Sequence, residues 1–339
     1  MFSRCLLPTW GLCLLLAGAA HGASPLADLA EVDAALARGA IAWDVRPAAE
    51  YRDGHLPGAV NLPDPANTLR DEHSERLLSL HRLEQLLGQA GIDPTAELIV
   101  YGRRGSPQAY FARHALLQLG ASAVRVYHDG IDGWRAAGRM LQRGEVQAQP
   151  RRVVLWPQRA RVATTTEVVA AARDAGDVQL VDARTHEEHV GIDVRAIRGG
   201  HVPGSVNIPY EFNWRDPLAA RKPAARQAGD NAGMALKDRD ALRELYAGLD
   251  PNRPTIVYCQ SGTRSAVTAA VLEDLGFRDV RVYDDSWLGY AARLDAPAVN
   301  ESFVNVGRLR LELRALKARL DAVEQRQRGD APAREAGAS

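Results

Sequence analysis

Short runs of β-branched and aromatic residues alternate along the chain with stretches whose apolar positions recur at helical spacing. Residues 178–182, 256–258 and 280–283 read as strands. Residues 239–249 read as an amphipathic helix with Leu242, Leu245, Tyr246 and Leu249 on one face, and residues 265–275 as a helix closed by Gly276. Strands that alternate with helices build a mainly parallel sheet covered by helices on both faces, the α/β class. Ligands of such sheets bind beyond the carboxyl ends of the strands.

The pattern occurs twice. Asp44-Val-Arg46 matches Asp182-Ala-Arg184, and Gly54-His-Leu-Pro-Gly-Ala-Val-Asn-Leu-Pro63 matches Gly200-His-Val-Pro-Gly-Ser-Val-Asn-Ile-Pro209. Ile99-Val-Tyr-Gly102 matches Ile256-Val-Tyr-Cys259, and Val124-Arg-Val-Tyr127 matches Val280-Arg-Val-Tyr283. An ordered series of matches this long is one domain written twice, with a period too long for a solenoid. The copies span 27–145 and 164–297, joined by a linker over 146–163 with a short strand expected at 153–155. The second copy carries two insertions. One lies between Asp182 and His201. The other, over 210–235, is basic and broken by proline, and reads as a solvated loop or as a rim that attracts an anionic substrate.

Duplication separates fold from chemistry. What both copies keep builds the domain; this includes His55 and His201. What only the second copy has is a candidate for the reaction. Cys259 faces Gly102 in the first copy, so that copy is expected to be inert. Cys259 begins the turn between a strand and a helix, where backbone N–H groups and the positive helix end favour a thiolate, the reactive form of sulfur. A buried structural cysteine is the alternative, but Gln260, Ser261, Gly262, Thr263 and Arg264 make a polar loop after it, leading to Ser265.

The first residues change the compartment. Residues 1–22 carry a positive charge, an apolar run and small residues before the end, as a secretory signal peptide does, so the mature chain is expected in the periplasm. Cys5 and Cys13 leave with that segment, and Cys259 then has no partner for an internal disulfide. With 42 basic and 42 acidic residues, nothing points to nucleic acid as a partner. At the other end, residues 303–327 form a helix with Val306, Leu313 and Leu320 on one heptad position and Leu309, Leu316 and Val323 on the other. That seam suits weak self-association as a coiled coil or packing on the chain's own domain. Residues 328–339 read as a disordered tail.

The Asp-x-Arg strand ends, the Gly-His-x-Pro-Gly-x-Val-Asn-x-Pro turns, Cys259-Gln-Ser-Gly-Thr-Arg264 and Tyr283-Asp-Asp-Ser-Trp287 together resemble the tandem-domain rhodanese family, the thiosulfate and 3-mercaptopyruvate sulfurtransferases. The resemblance covers about residues 27–295 and implies two rhodanese-like domains with only the second catalytic. It implies that Cys259 takes a sulfane sulfur from a small anionic donor as a persulfide and passes it to cyanide or a thiol. N–H groups of residues 260–265 would hold that sulfur. Thr263 would donate a hydrogen bond to it, and Arg264 would either pair with a local carboxylate or face the donor. Arg184 and Arg198 are further candidates for donor binding. No metal or organic cofactor is implied.

Two rivals stand beside this reading. Rhodanese-like phosphatases and arsenate reductases wrap an oxyanion in a Cys-x5-Arg loop; here Cys259 and Arg264 are spaced Cys-x4-Arg. A non-enzymatic sulfur carrier or thiol sensor would dock its partners through the tail. Gln260 and Ser261 are neutral where thiosulfate-preferring tandem members are basic, and Arg264 and Ser265 depart from mercaptopyruvate-preferring ones, so the donor stays open.

Overall fold

The computed structural model describes residues 24–174, 176–221 and 231–329. The segment read as a signal peptide, the middle of the 210–235 insertion and the tail beyond residue 329 lie outside them.

The first sheet consists of β1 (Leu26–Ala27), β2 (Ile41–Asp44), β3 (Val60–Asn61), β4 (Leu98–Tyr101) and β5 (Val124–Tyr127). All pairs are parallel, in the order β1-β5-β4-β2-β3. The second consists of β6 (Val162–Ala163), β7 (Gln179–Asp182), β9 (Ser205–Asn207), β10 (Thr255–Tyr258) and β11 (Val280–Tyr283), in the equivalent order β6-β11-β10-β7-β9. The central strands β4 and β10 are buried on both faces, which is why they read as unbroken apolar runs. Their side chains divide by period two between the core layers. Leu98 and Val100 enter one layer, Ile99 and Tyr101 the other. In the second domain Ile256 and Tyr258 face one layer, and Val257 and Cys259 the other.

The linker differs from expectation. Residues 153–155 form no strand; Val153 and Leu155 are buried against the first domain's core, and the edge strand comes later, at β6. The second domain also gains an unexpected antiparallel pair. In it β12 (Val299–Phe303) runs against β8 (Arg198–His201), closing the turn around His201. The first domain closes its own turn with a single bridge, His55 to Gln142.

The asparagines of the repeated turns bind both ends of each Asp-x-Arg segment. Asn61 donates to the Asp44 and Arg46 carbonyls, and Asn207 to those of Asp182 and Arg184. His55 stacks on Tyr51 and His201 on His189, each ring also bonded to its neighbour's carbonyl.

The domains meet along α5 (Pro107–Gln118) and α10 (Thr263–Leu275), the helices that follow the two loops. Ala266, Val267 and Ala270 of α10 sit in the first domain's core. Burying Val267 contributes roughly 1.5–3 kcal/mol. The segments after β3 and β9 then cross over. Arg70, bridged to Leu77, reaches the second domain's loop; Trp214, bridged to Leu236, reaches the first domain's loop at Gly105. The C-terminal helix α12 (Val306–Gly329) starts three residues later than expected and is exposed along its described side chains.

Candidate active site

Cys259 follows the last residue of β10 and is 1 % exposed. Its backbone is fixed on both sides. The Cys259 N–H donates to Ser286 Oγ at 3.1 Å, and its carbonyl accepts from Trp287 N at 3.0 Å. The next carbonyl, of Gln260, accepts from Leu288 N at 3.1 Å, while Gln260 Nε2 donates to the Arg195 carbonyl at 2.8 Å. The turn at Gly262 is left-handed, with φ +85°. A Cβ there would lie 2.5 Å from Asp284 Oδ1 and 2.8 Å from Arg70 Nη2, so both conformation and space require glycine.

The helix begins at Thr263, two residues before the expected start, which puts Ser265 in its first turn. Ser265 Oγ lies 3.6 Å from Cys259 Sγ and donates to the Gly262 carbonyl at 2.9 Å. Arg264 forms a bidentate pair with Glu188, at 2.6 and 2.8 Å. Glu188 is 1 % exposed, also caps its own short helix through Thr185 N, and accepts from Arg195 at 3.3 Å. Burial pushes the Cys259 thiol up. The charge of Arg264, the Ser265 hydroxyl and the N–H groups of Ser265 and Ser261 outweigh it, and the thiol ends below its ordinary value. Tyr210 and Glu211 lie within electrostatic reach of Arg264, and Tyr210 of the thiol as well; burial pushes the Glu211 carboxyl up.

Gln260, Ser261, Gly262, Thr263, Arg264 and Ser265 thus come together around Cys259. Arg184 and Arg198 do not join them, which corrects their assignment to donor binding. Arg184 is 1 % exposed, pairs with Asp182 at 2.6 Å and donates to the Gly200 carbonyl, under Trp287. Arg46 repeats this arrangement with Asp44 and Gly54. Arg198 is also 1 % exposed, and its terminal nitrogens serve Glu301 and the carbonyls of Arg293 and Ala296. Both guanidiniums hold the domain together.

Three contributors were not read from the sequence. Ser286 had a signal: it lies in the Tyr283-Asp-Asp-Ser-Trp287 run, opposite Gly130 of the first copy, and the structure shows both residues left-handed, at φ +48° and +52°. Glu188 had one too, in the Thr185-x-x-Glu188 capping box. Arg70 had none, because it arrives from the other domain.

The first copy's loop keeps the frame without the thiol. Gly102 holds the thiol's position and Gly105 the left-handed turn, φ +73°. Its extra residue is Ser106, inserted between that turn and the helix, so Pro107, Gln108 and Ala109 stand where the second copy has Thr263, Arg264 and Ser265. Among the described residues no group of His, Cys, Asp and Glu is placed to hold a metal ion, and no helix is long and apolar enough to cross a membrane.

A family model described as "Rhodanese-like domain" matches residues 28–137 and 165–293. The chain is 32 % identical over 258 residues to a thiosulfate sulfurtransferase of Corynebacterium glutamicum, covering 73 % of this chain and 80 % of that one. It is 30 % identical over 256 residues to a probable 3-mercaptopyruvate sulfurtransferase of Schizosaccharomyces pombe, covering 72 % and 80 %. With a thiosulfate sulfurtransferase of Azotobacter vinelandii it shares 31 % over 261 residues, covering 76 % and 90 %. Among the solved structures that share the fold are two enzymes. One is the 3-mercaptopyruvate sulfurtransferase SseA of Escherichia coli, with TM-score 0.62, 24 % identity and coverage of 78 % and 99 %. The other is the anaerobic ergothioneine biosynthesis enzyme of Chlorobium limicola, with TM-score 0.68, 18 % identity and coverage of 81 % and 70 %.

Proposed function

The chain belongs to the rhodanese family of sulfurtransferases, and from that premise we propose that Cys259 carries the transferred sulfur between a small anionic donor and a thiophilic acceptor. The carrying observation is a thiol placed below its ordinary pKa inside a cradle of N–H groups, with Arg264 beside it. The thiolate attacks the outer sulfur of the donor and forms a new S–S bond. The donor's bond to that sulfur breaks, and its electron pair leaves with sulfite from thiosulfate, or with pyruvate enolate, which then takes a proton, from 3-mercaptopyruvate. The persulfide's terminal charge rests on the loop N–H groups. Cyanide or a thiolate then attacks the outer sulfur, and the Cys259 thiolate leaves. The four-residue spacing of Cys259 and Arg264 makes a cradle for one sulfur atom instead of a wrap around an oxyanion. The first domain, with glycine at the thiol position, takes no sulfur.

Incubation with thiosulfate or 3-mercaptopyruvate tests this. Intact mass should rise by one sulfur atom, cyanide should remove it, and Cys259→Ser should neither gain mass nor turn over. Turnover by that variant would overturn the assignment, as would hydrolysis of a phosphate ester without sulfur loading.

Two further proposals concern where and how the enzyme works. Export through the leader at residues 1–22 would place it in the periplasm. There its thiol lies 1 % exposed, protected from the oxidation that an open thiol invites. Self-pairing through α12 would bury Val306, Leu309, Leu313, Leu316, Leu320 and Val323, which are 49–68 % exposed in the single chain. In a parallel pair Glu312 faces Lys317 and Arg319 faces Glu324 across the seam.

A further inference from the structure

Arg70 belongs to the first domain, yet its guanidinium is built into the second domain's loop. Nη1 donates to the Ser261 carbonyl at 2.5 Å and Nη2 to Asp284 Oδ1 at 2.6 Å. The fork lies over the Phe111 ring, 4.1 Å from its centroid, and the side chain is 4 % exposed. Those two acceptors sit on the two segments that flank the thiol. Ser261 is in the loop whose N–H groups surround the sulfur. Asp284 lies two residues before Ser286, whose hydroxyl holds the Cys259 N–H. One planar group therefore joins the loop to the turn that anchors it, a geometry that needs a fork and not a point charge. Gly262 fills the space between Arg70 and Asp284 with no room for a methyl group, so the loop cannot slide beneath the clasp.

The duplication provides an internal comparison. Trp214, the residue with the equivalent bridge, reaches the first domain's Gly105, with Nε1 3.3 Å from where a Cβ would stand. Its indole N–H is buried without a hydrogen-bond partner, as is Arg70 Nε, but Trp214 has no second donor to give the loop. The loop with a thiol is held by an arginine hydrogen-bonded to its carbonyl, and the loop without one is covered by a ring. A peptide unit is rigid and planar. Pinning the Ser261 carbonyl outward restricts the orientations open to the neighbouring N–H groups on the sulfur side.

We propose that Arg70 is a positioning residue for sulfur transfer, through which the thiol-less domain sets the loop N–H groups around Cys259. This rests on the reading of Cys259 as the sulfur carrier. Alkylation by iodoacetamide reports on the thiol whatever its role, so failure of that reading and failure of this proposal are distinguishable.

The test uses the full chain. Arg70→Gln should move the pH midpoint of Cys259 alkylation upward and slow sulfur loading from thiosulfate by about ten-fold, as displaced oxyanion-type donors do. Arg70→Lys keeps the charge but not the fork, and should recover less than half of the loss. Arg113→Gln is the control. It breaks another interdomain pair, Arg113–Glu273 at 2.7 Å, without touching the loop, and should lower thermal stability while leaving the alkylation profile in place. If Arg70→Gln does not fold, Arg70→Lys carries the same comparison. A parental alkylation midpoint and loading rate in the Arg70 variants would overturn the proposal. So would an equal shift in Arg113→Gln, which would mean that any loosening of the interface disturbs the thiol.

Discussion

Ser286 Oγ accepts the N–H of Cys259 at 3.1 Å and donates to the Tyr283 carbonyl at 2.7 Å, while its own backbone is left-handed at φ +48°. A non-glycine residue in that region is strained, and here its hydroxyl satisfies a buried donor next to the thiol. Two substitutions separate these effects. Ser286→Ala keeps the strain and orphans the N–H, and should cost about 1–3 kcal/mol of stability. Ser286→Gly orphans the same group but relieves the backbone, and should cost about 1 kcal/mol less. Equal urea midpoints for the two variants would show that strain is not stored at this position.

Gly262 and Gly276 are both left-handed, at φ +85° and +100°, but only Gly262 is enclosed. Gly276→Ala has open space and should lose roughly 1–2 kcal/mol from its backbone alone, with sulfur loading unchanged. Gly262→Ala must displace Asp284 or Arg70, and loading should fall by about a hundred-fold. Rapid-quench mass spectrometry checks both; a Gly262→Ala enzyme that loads at the parental rate would refute the packing argument.

Acid should weaken the protein in two stages. His114 and His128 are buried, and burial above all holds each ring down at about 4. Arg70 and Arg113 add to this at His114, against Asp284 and Glu273. Unfolded histidines titrate near 6.5, so the unfolded chain binds more protons below that pH. Stability is therefore lost as pH falls from about 6.5 to 4. Burial would raise the Asp182 carboxyl, but Arg184 and His189 outweigh it and hold it at about 2. Its contribution is present above the ordinary carboxylate range and lost as pH falls toward 2. His114→Gln should remove about half of the upper stage, leaving the share of His128, and leave the lower stage unchanged. Urea midpoints measured between pH 7.5 and 3 decide it; a decline that starts only below about pH 4.5 would remove the histidine account.

Truncation after Asn305 should make the protein monomeric without slowing sulfur loading. The exposed seam of α12 offers on the order of 1–3 kcal/mol for each buried leucine, offset by the cost of ordering so short a coiled coil. Association should therefore be concentration-dependent in light scattering. A full-length chain that stays monomeric throughout the series would rule out the pairing.

Much of this was legible because the chain repeats itself. The strand over residues 280–283 has the bounds read from its pattern, and Gly102 opposite Cys259 marked the thiol as special. The same comparison, carried further, would have kept Arg184 out of the site: Asp44 and Arg46 already show that Asp-x-Arg is a closed pair. Arg198 misled because an arginine in a strand reads alike whether it meets a donor or carbonyls from a distant segment. The edge strand β6, two residues long, is too short to leave a period. Arg70 lies 191 residues from the loop it holds, and no local pattern records a contact between domains.

The crossed arms of Arg70 and Trp214 also bear on how a duplicated protein ages. Two copies that merely sit side by side can drift apart, and one can be deleted once its chemistry is gone. Here each copy finishes the other's loop. Deleting the thiol-less half would leave Cys259 with its own loop residues but with the Ser261 carbonyl unheld and the apolar face of α10 bare. The first domain is thus tied to the second by packing and by Arg70, not by a thiol of its own. The thiol-less copy is the missing half of the other.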